Sequence, residues 1–184
     1  MGVVVFHALE LSDHRFHVGA AGVDIFFIVS GFIMTTLMLG PEASPGLFMR
    51  RRLARIVPLY WAATLLAVAI WFVRPAFNSQ LDPSFENTVL SLLFIPHVSH
   101  TGGDAPTLGQ GWTLEYEMFF YLLCSALLFL PALNRLKFLA GALIALSLIG
   151  LLFTPPGAIL AVYTNPRLLE FVAGIAIAAS WKSG

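Results

Sequence analysis

One apolar stretch, followed by a basic run, constrains this chain more than any other feature. The stretch Gly22–Met34 lies in an apolar segment from Ala20 to Leu39, and the run Arg50–Arg55 holds four arginines within six residues. A transmembrane helix needs about 20 mostly apolar residues, and basic residues mark the end that stays in the cytoplasm. We therefore predict a membrane-spanning helix that carries one carboxylate, Asp24, near its outer end.

The composition supports an integral membrane protein. The chain of 184 residues is 58% hydrophobic and 11% charged, with a mean hydropathy of +0.84. A soluble domain averages about 25% charged residues. Ten basic and ten acidic residues cancel, and the basic cluster lies between apolar segments, so no nucleic-acid partner is expected. The single cysteine, Cys124, excludes an internal disulfide, and we interpret it as a small buried hydrophobe.

The apolar segments predict an all-α fold, a polytopic transmembrane helix bundle that forms a single domain over residues 1–184. It has about five full spans and a truncated first helix. Residues 1–11 are too short for a span and lack the features of a signal peptide, so we interpret them as the last half of a transmembrane helix. The predicted spans cover 20–39, 56–73, 112–130, 138–153 and 167–181, and residues 89–95 predict a short interfacial helix.

Basic residues are distributed unequally between alternate loops. Because positive residues favour the cytoplasmic side, we place there Arg50, Arg51, Arg52, Arg55, Arg135, Lys137 and Lys182. The opposite loops carry Arg15, Arg74 and Arg167.

Ionisable residues at membrane depth are costly and are functional candidates. They are His7, Asp24, Glu115, Glu117 and Glu170. His7 is either a helix-end histidine bonded to a neighbour or a general base, since imidazole titrates close to neutral pH. Asp24 is either a site residue or an acid that the helix N-terminus stabilises.

Glu115 and Glu117 are two residues apart on a predicted helix, so they point to different faces and only one can face a given site. Glu117 lies among aromatic residues and is the better candidate to orient or charge-balance an imidazole. Both acids also fit the simpler interpretation of residues favoured by a helix N-terminus.

Arg52 and Arg55 are three residues apart and therefore neighbours on one helical face. Paired guanidinium groups suit phosphates, although arginines also serve only to fix topology. His14, His17, His97 and His100 lie in outward loops without the further ligands of a recognisable zinc pattern, so we predict no metal site.

The order and spacing of several motifs resemble the acyltransferase-3 family, bacterial membrane O-acyltransferases that modify exopolysaccharide, lipopolysaccharide or peptidoglycan. The resemblance covers the whole chain, but only part of the family's domain. The sequence of the motif Trp112–Tyr121 most resembles that of the exopolysaccharide-production branch. The motifs are Val3–His7, Gly22–Phe32, Arg51–Trp61, Trp112–Tyr121 and Asn165–Gly174.

This resemblance implies a multi-pass protein of the bacterial inner membrane that moves an acyl group, usually acetyl, from acetyl-CoA to a carbohydrate hydroxyl outside. Acyl-CoA is a donor substrate, and no tightly bound cofactor is implied. His7 matches the family's essential histidine, Arg52 and Arg55 its arginine pair, and Glu117 the acid of its tryptophan–glutamate motif, which begins at Trp112. His7 would then accept the hydroxyl proton while Glu117 holds its tautomer, or His7 would carry the acyl group itself.

Two departures keep other interpretations open. The family places a basic residue about eleven positions before the histidine, where this chain has only six residues, and its later helices are not found before Gly184. The chain is therefore expected to be a fragment or to have a misassigned start. The alternatives are an inactive truncated enzyme and a transporter or flippase that uses the same charges as a substrate path.

Overall fold

The computed structural model describes residues 18–40, 44–77, 81–99 and 106–183, and within these ranges it is helical and contains no strand. Among the described residues, three helices are long and apolar enough to cross a membrane, over Ala21–Met38, Pro45–Val73 and Asn134–Leu152. The seven α-helices of the described part are α1 Val18–Met38, α2 Pro45–Val73, α3 Phe85–Leu92, α4 Trp112–Leu127, α5 Ala132–Leu152, α6 Ala158–Tyr163 and α7 Leu168–Ser183.

These helices confirm an all-α, multi-pass membrane protein. The count of about five full spans stays a prediction, because α4 and α7 have 16 residues each and are shorter than the three long helices. The predicted boundaries of α1 agree with the structure within two residues. The predicted half-helix at residues 1–11 lies outside the described residues.

Helix α1 packs most extensively against α7, and glycines make the close approach possible. Gly31 of α1 lies against the backbone carbonyl of Phe171, and Gly174 of α7 lies against that of Ile28. A Cβ atom at either glycine would overlap these oxygens. Lipid supplies no hydrophobic drive between helices, so close backbone packing of this kind holds them together.

Three phenylalanines form the centre of the core between α1, α4 and α7. Phe27, Phe120 and Phe171 are fully buried, and the ring of Phe171 lies 4.8 Å from that of Phe27 and 4.2 Å from that of Phe120. Cys124 is fully buried in the same cluster, as expected for a small hydrophobe. This core fixes α1 and α4 relative to each other.

Helix α2 begins at Pro45, eleven residues before the predicted start at residue 56. Ser44 precedes it in an extended conformation, and Pro45 occupies the first turn, where its missing N–H is tolerated. The predicted boundary was wrong because a run of arginines is typical of a loop outside the membrane. The run Arg50–Arg55 is therefore helical, and Pro58 lies in the interior of the helix.

The connection between α2 and α4 runs back alongside α2. Helix α3 spans Phe85–Leu92, somewhat earlier than the predicted 89–95, and the indole N–H of Trp61 donates to the Leu92 carbonyl at 2.8 Å. Trp61 is sixteen residues beyond Pro45, which corresponds to about 24 Å along the helix. The end of α3 therefore lies beside the middle of the 29-residue α2.

Arg135 ties helix ends together on the side predicted to be cytoplasmic. Its guanidinium donates to the carbonyl oxygens of Met38 at 2.7 Å, Leu130 at 2.9 Å and Leu128 at 3.2 Å. Carbonyls at helix C-termini have no partner inside the helix, and a basic side chain can supply one. Arg135 thus joins the ends of α1 and α4 in addition to any role in orientation.

Candidate active site

A cavity of about 210 Å³ lies between α1, α2 and α4 and brings together three of the seven predicted site residues, Arg52, Arg55 and Glu117. Its walls are mostly apolar, so the polar groups in it stand out. The polar residues that line it are Ser30, Arg52, Arg55, Glu117 and Tyr121.

The carboxylate of Glu117 is held by two hydrogen bonds in this cavity. Its Oε1 atom accepts a hydrogen bond from Ser30 Oγ at 2.7 Å and another from the hydroxyl of Tyr121. The residue is 3% exposed, and its Oε2 atom has no hydrogen-bond partner among the described residues. Buried polar atoms without a partner are rare in proteins, so Oε2 is placed to meet a ligand or water.

Local helix geometry explains how this carboxylate is held. Tyr121 lies four residues after Glu117 on α4, so both side chains share one face of that helix. Ser30 reaches the same oxygen from α1. Two donors on one oxygen fix the orientation of the carboxylate and leave the other oxygen available.

Arg52 and Arg55 face the carboxylate from α2. Both line the cavity, as their spacing of three residues on one helical face permits. The Nε atom of Arg52 is buried and has no hydrogen-bond partner in the described part of the chain. One cavity therefore holds a carboxylate oxygen and a guanidinium N–H that both lack a hydrogen-bond partner among the described residues.

The arginine pair and the carboxylate of Glu117 lie in one cavity. Arg52 lies seven residues beyond Pro45, about 10 Å into α2, and shares a cavity with Glu117. The arginines and Glu117 form one site because α2 and α4 pack side by side, and Ser125 Oγ of α4 donates to the Pro45 carbonyl of α2 at 3.3 Å.

Glu115 and Glu117 differ as the helical spacing predicts. Both are 3% exposed, but Glu117 lines the cavity and Glu115 does not. His7 lies outside the described residues, so its pairing with Glu117 stays a prediction.

Asp24 and Trp112 lie together in a second cluster, around Arg167. From the sequence, Arg167 was used only to assign the orientation of the loops. Arg167 Nη1 lies 3.3 Å from Asp24 Oδ1 and 3.7 Å from Glu170 Oε1, and the guanidinium carbon lies 5.3 Å from the centre of the Trp112 ring. Asp24 is thus an ion-pair partner outside the cavity. We call Asp24, Arg167, Glu170 and Trp112 the outer cluster.

A polar network holds the connection before α4. Asn87 Nδ2 donates to Thr107 Oγ1 at 2.8 Å, and His97 Nε2 lies 2.7 Å from Asn87 Oδ1. The described ranges hold no group of three or more His, Cys, Asp or Glu side chains that could bind a metal ion. His14, His17 and His100 lie outside those ranges.

Comparison with known proteins decides the family. The family model of the acyltransferase-3 group, described as an acyltransferase domain, matches residues 1–184. The chain belongs to the acyltransferase-3 family. It is 41% identical over 182 residues to the exopolysaccharide production protein ExoZ of Rhizobium meliloti (strain 1021), covering 98% of this chain and 57% of that protein.

A more distant relative is named a peptidoglycan O-acetyltransferase. The peptidoglycan O-acetyltransferase OatA of Listeria monocytogenes is 27% identical over 206 residues, which cover 98% of this chain and 32% of the relative. The acyltransferase-3 chain described here therefore spans little more than half of the length of ExoZ and about a third of OatA. No solved structure matches it.

Proposed function

We propose that this acyltransferase-3 chain forms the site-bearing part of an enzyme that transfers an acyl group, in the simplest case acetyl, from acyl-CoA to a hydroxyl of a cell-surface or exported carbohydrate. The observation that carries the proposal is the cavity in which Glu117 faces Arg52 and Arg55. The names of two relatives, an exopolysaccharide production protein and a peptidoglycan O-acetyltransferase, support a carbohydrate acceptor.

The arginine pair is assigned to the anionic donor. Guanidinium groups bind phosphate oxygens through two parallel hydrogen bonds, and the unpartnered Nε of Arg52 offers one donor for such a contact. Pockets that bury a whole small molecule hold about 300–1,000 Å³, whereas this cavity holds about 210 Å³. It is therefore assigned to one end of the donor, which is a substrate consumed in each turnover and not a tightly bound cofactor.

The proposed reaction needs a base for the acceptor hydroxyl. His7 takes the hydroxyl proton while the oxygen attacks the thioester carbonyl, and the C–S bond then breaks. The departing thiolate of coenzyme A receives the proton from the imidazolium, so no net proton is gained or lost. Glu117 stabilises the imidazolium and fixes its tautomer, a role that fits a carboxylate with one oxygen held and the other available.

The test is a transfer assay on membranes of cells that express the chain. Labelled acetyl-CoA is added, and label is measured in isolated polysaccharide. His7→Ala should abolish transfer while the protein stays in the membrane fraction, and the control His14→Ala should retain it. Transfer by the His7→Ala variant would exclude the histidine as the base.

Two further outcomes have a defined meaning. Label that accumulates on the protein when no acceptor is present would show an acyl-histidine route rather than direct transfer. Stable membrane insertion of the unaltered chain without any transfer would favour an inactive form of the enzyme.

A further inference from the structure

Helix α2 presents different chemistry on two of its faces. Arg52, Arg55 and Ile56 line the polar cavity. Leu53, Ala54 and Val57 line a separate groove instead, and they follow Arg50 by three, four and seven residues. Residues at this spacing lie on one helical face. The basic run is therefore divided between two faces of α2. Arg50 lies, by its spacing, on the face of the groove and one turn before it, while Arg52 and Arg55 line the cavity.

The groove is apolar and has a volume of about 520 Å³. It is lined by α2 residues from Leu53 to Trp61, by residues 92–94 and by Met118. The one polar side-chain group among them, the indole N–H of Trp61, already donates to the Leu92 carbonyl at 2.8 Å. The side chains of the groove thus offer nothing to a polar ligand and suit a hydrocarbon chain.

Two contacts make the groove a fixed feature. The Trp61–Leu92 hydrogen bond holds the end of α3 against α2, and the ring of Phe94 lies 4.8 Å from that of Tyr60. Phe94 has a φ of 57°, a left-handed conformation that a bulky residue keeps only where its packing requires it. The floor of the groove is therefore held in place by the fold.

The position of Arg50 decides which hydrocarbon ligand fits. Its side chain is exposed, and it lies one turn closer to the start of α2 than the groove residues do. From Leu53 to Trp61 the groove extends about 12 Å along the helix, away from Arg50. A basic residue at the end of a membrane helix attracts anionic lipid headgroups. A charged head and an apolar body in this order match a phospholipid.

We propose that the groove binds one acyl chain of an anionic phospholipid from the cytoplasmic leaflet, with the phosphate of the lipid against Arg50. This site lies on a different face of α2 from the cavity and does not depend on the transfer reaction. It would anchor α2 and the end of α3 to one bound lipid.

The proposal is tested by native mass spectrometry of the detergent-solubilised protein, titrated with phosphatidylglycerol or phosphatidylcholine of equal chain length. We expect one retained lipid and about fivefold tighter binding of phosphatidylglycerol, the preference that one arginine supplies near an anionic headgroup. Arg50→Gln should abolish this preference. The control Lys137→Gln, an exposed cation predicted on the same side but outside the groove, should leave it unchanged.

A second pair of variants tests the acyl chain. Ala54→Phe fills the groove and should weaken both lipids, whereas Ala62→Phe, at an exposed α2 position outside the groove, should weaken neither. Circular dichroism confirms that each variant keeps its helix content. Equal binding of the two lipids, or no effect of Ala54→Phe, would overturn the proposal. It would also be overturned if Ala54→Phe changed the oligomeric mass while the bound lipid stayed, since the groove would then receive a second copy of the chain.

Discussion

Two polar clusters each include one residue of α1, and they differ in how deeply their carboxylates are buried. Ser30 belongs to the cavity, where it donates to Oε1 of Glu117, and Oε2 of that carboxylate has no hydrogen-bond partner in the described part of the chain. Asp24, six residues earlier, belongs to the outer cluster and pairs with Arg167. The side chains of Asp24 and Arg167 are 49% and 40% exposed, whereas Glu117 is 3% exposed.

This difference in burial indicates which cluster is suited to catalysis and which only to local structure. An exposed ion pair contributes little to folding, about 0–1 kcal/mol, and its groups already neutralise each other. A buried carboxylate with an unpartnered oxygen destabilises the fold, and such groups are typical of functional sites. The cavity is thus the better candidate for chemistry, and the outer cluster for local structure.

The largest expected effect comes from Glu117→Gln. Glutamine keeps the shape of the side chain but removes the charge that would stabilise an imidazolium, so kcat for acyl transfer should fall about 100-fold. The matched control is Glu115→Gln, the same change at an equally buried position of α4 outside the cavity. Equal losses in the two variants would show that burial, and not the cavity, sets the effect.

Arg52→Gln should act on donor binding. Loss of a charge-assisted hydrogen bond, about 1.5–3 kcal/mol, corresponds to a rise of roughly 10- to 100-fold in the KM for acyl-CoA, with a smaller change in kcat. Steady-state kinetics at varied acyl-CoA measures both values, and Lys137→Gln is the control for loss of a positive charge. An unchanged KM would remove the arginine from the donor site.

Gly174→Ala tests the close packing of α7 against α1, the helix that contributes a residue to each cluster. The added methyl group would meet the Ile28 carbonyl of α1, and overpacking of this kind destabilises a protein by about 1–3 kcal/mol. The midpoint of thermal unfolding in mild detergent should fall accordingly. Gly141→Ala on α5 is the control, because a Cβ there has nothing within 4 Å, and it should not lower the midpoint.

The smallest effect is expected for Asp24→Asn. The exposed pair with Arg167 should contribute less than about 1 kcal/mol to the free energy of unfolding, and acyl transfer should change by only a few-fold. Unfolding measurements and the transfer assay check the two values separately. A loss of transfer as large as that of Glu117→Gln would reverse the comparison between the clusters.

The sequence predicted individual helices better than their packing. Residues 18–38 of α1 were close to the predicted 20–39 because one apolar run is bounded by polar residues. The start of α2 was wrong because arginines inside a membrane helix need a protein cavity to receive them, and that cavity exists only once α4 is in place. Helix α6 was not predicted, since Ala158–Tyr163 is a six-residue apolar segment without periodicity.

Packing between helices also limited how much of the candidate site the sequence could predict. Glu117, Arg52 and Arg55 could be selected from residue type and family resemblance, but their shared cavity depends on contacts between helices. Tyr121 was missed although its spacing of four residues from Glu117 was a usable signal. Ser30 gave a weaker signal, a single hydroxyl in an apolar helix, which often marks a contact between membrane helices.

Because α2 is long, its position in the membrane should depend on the thickness of the bilayer. Its 29 residues extend about 43 Å, whereas the hydrocarbon core of a typical membrane is about 30 Å thick. The excess requires α2 to tilt or to project from one surface, and a tilt would change the depth of the cavity arginines. A thinner bilayer should increase the tilt or the projection, so acyl lipids of graded chain length should alter donor affinity without any change in sequence.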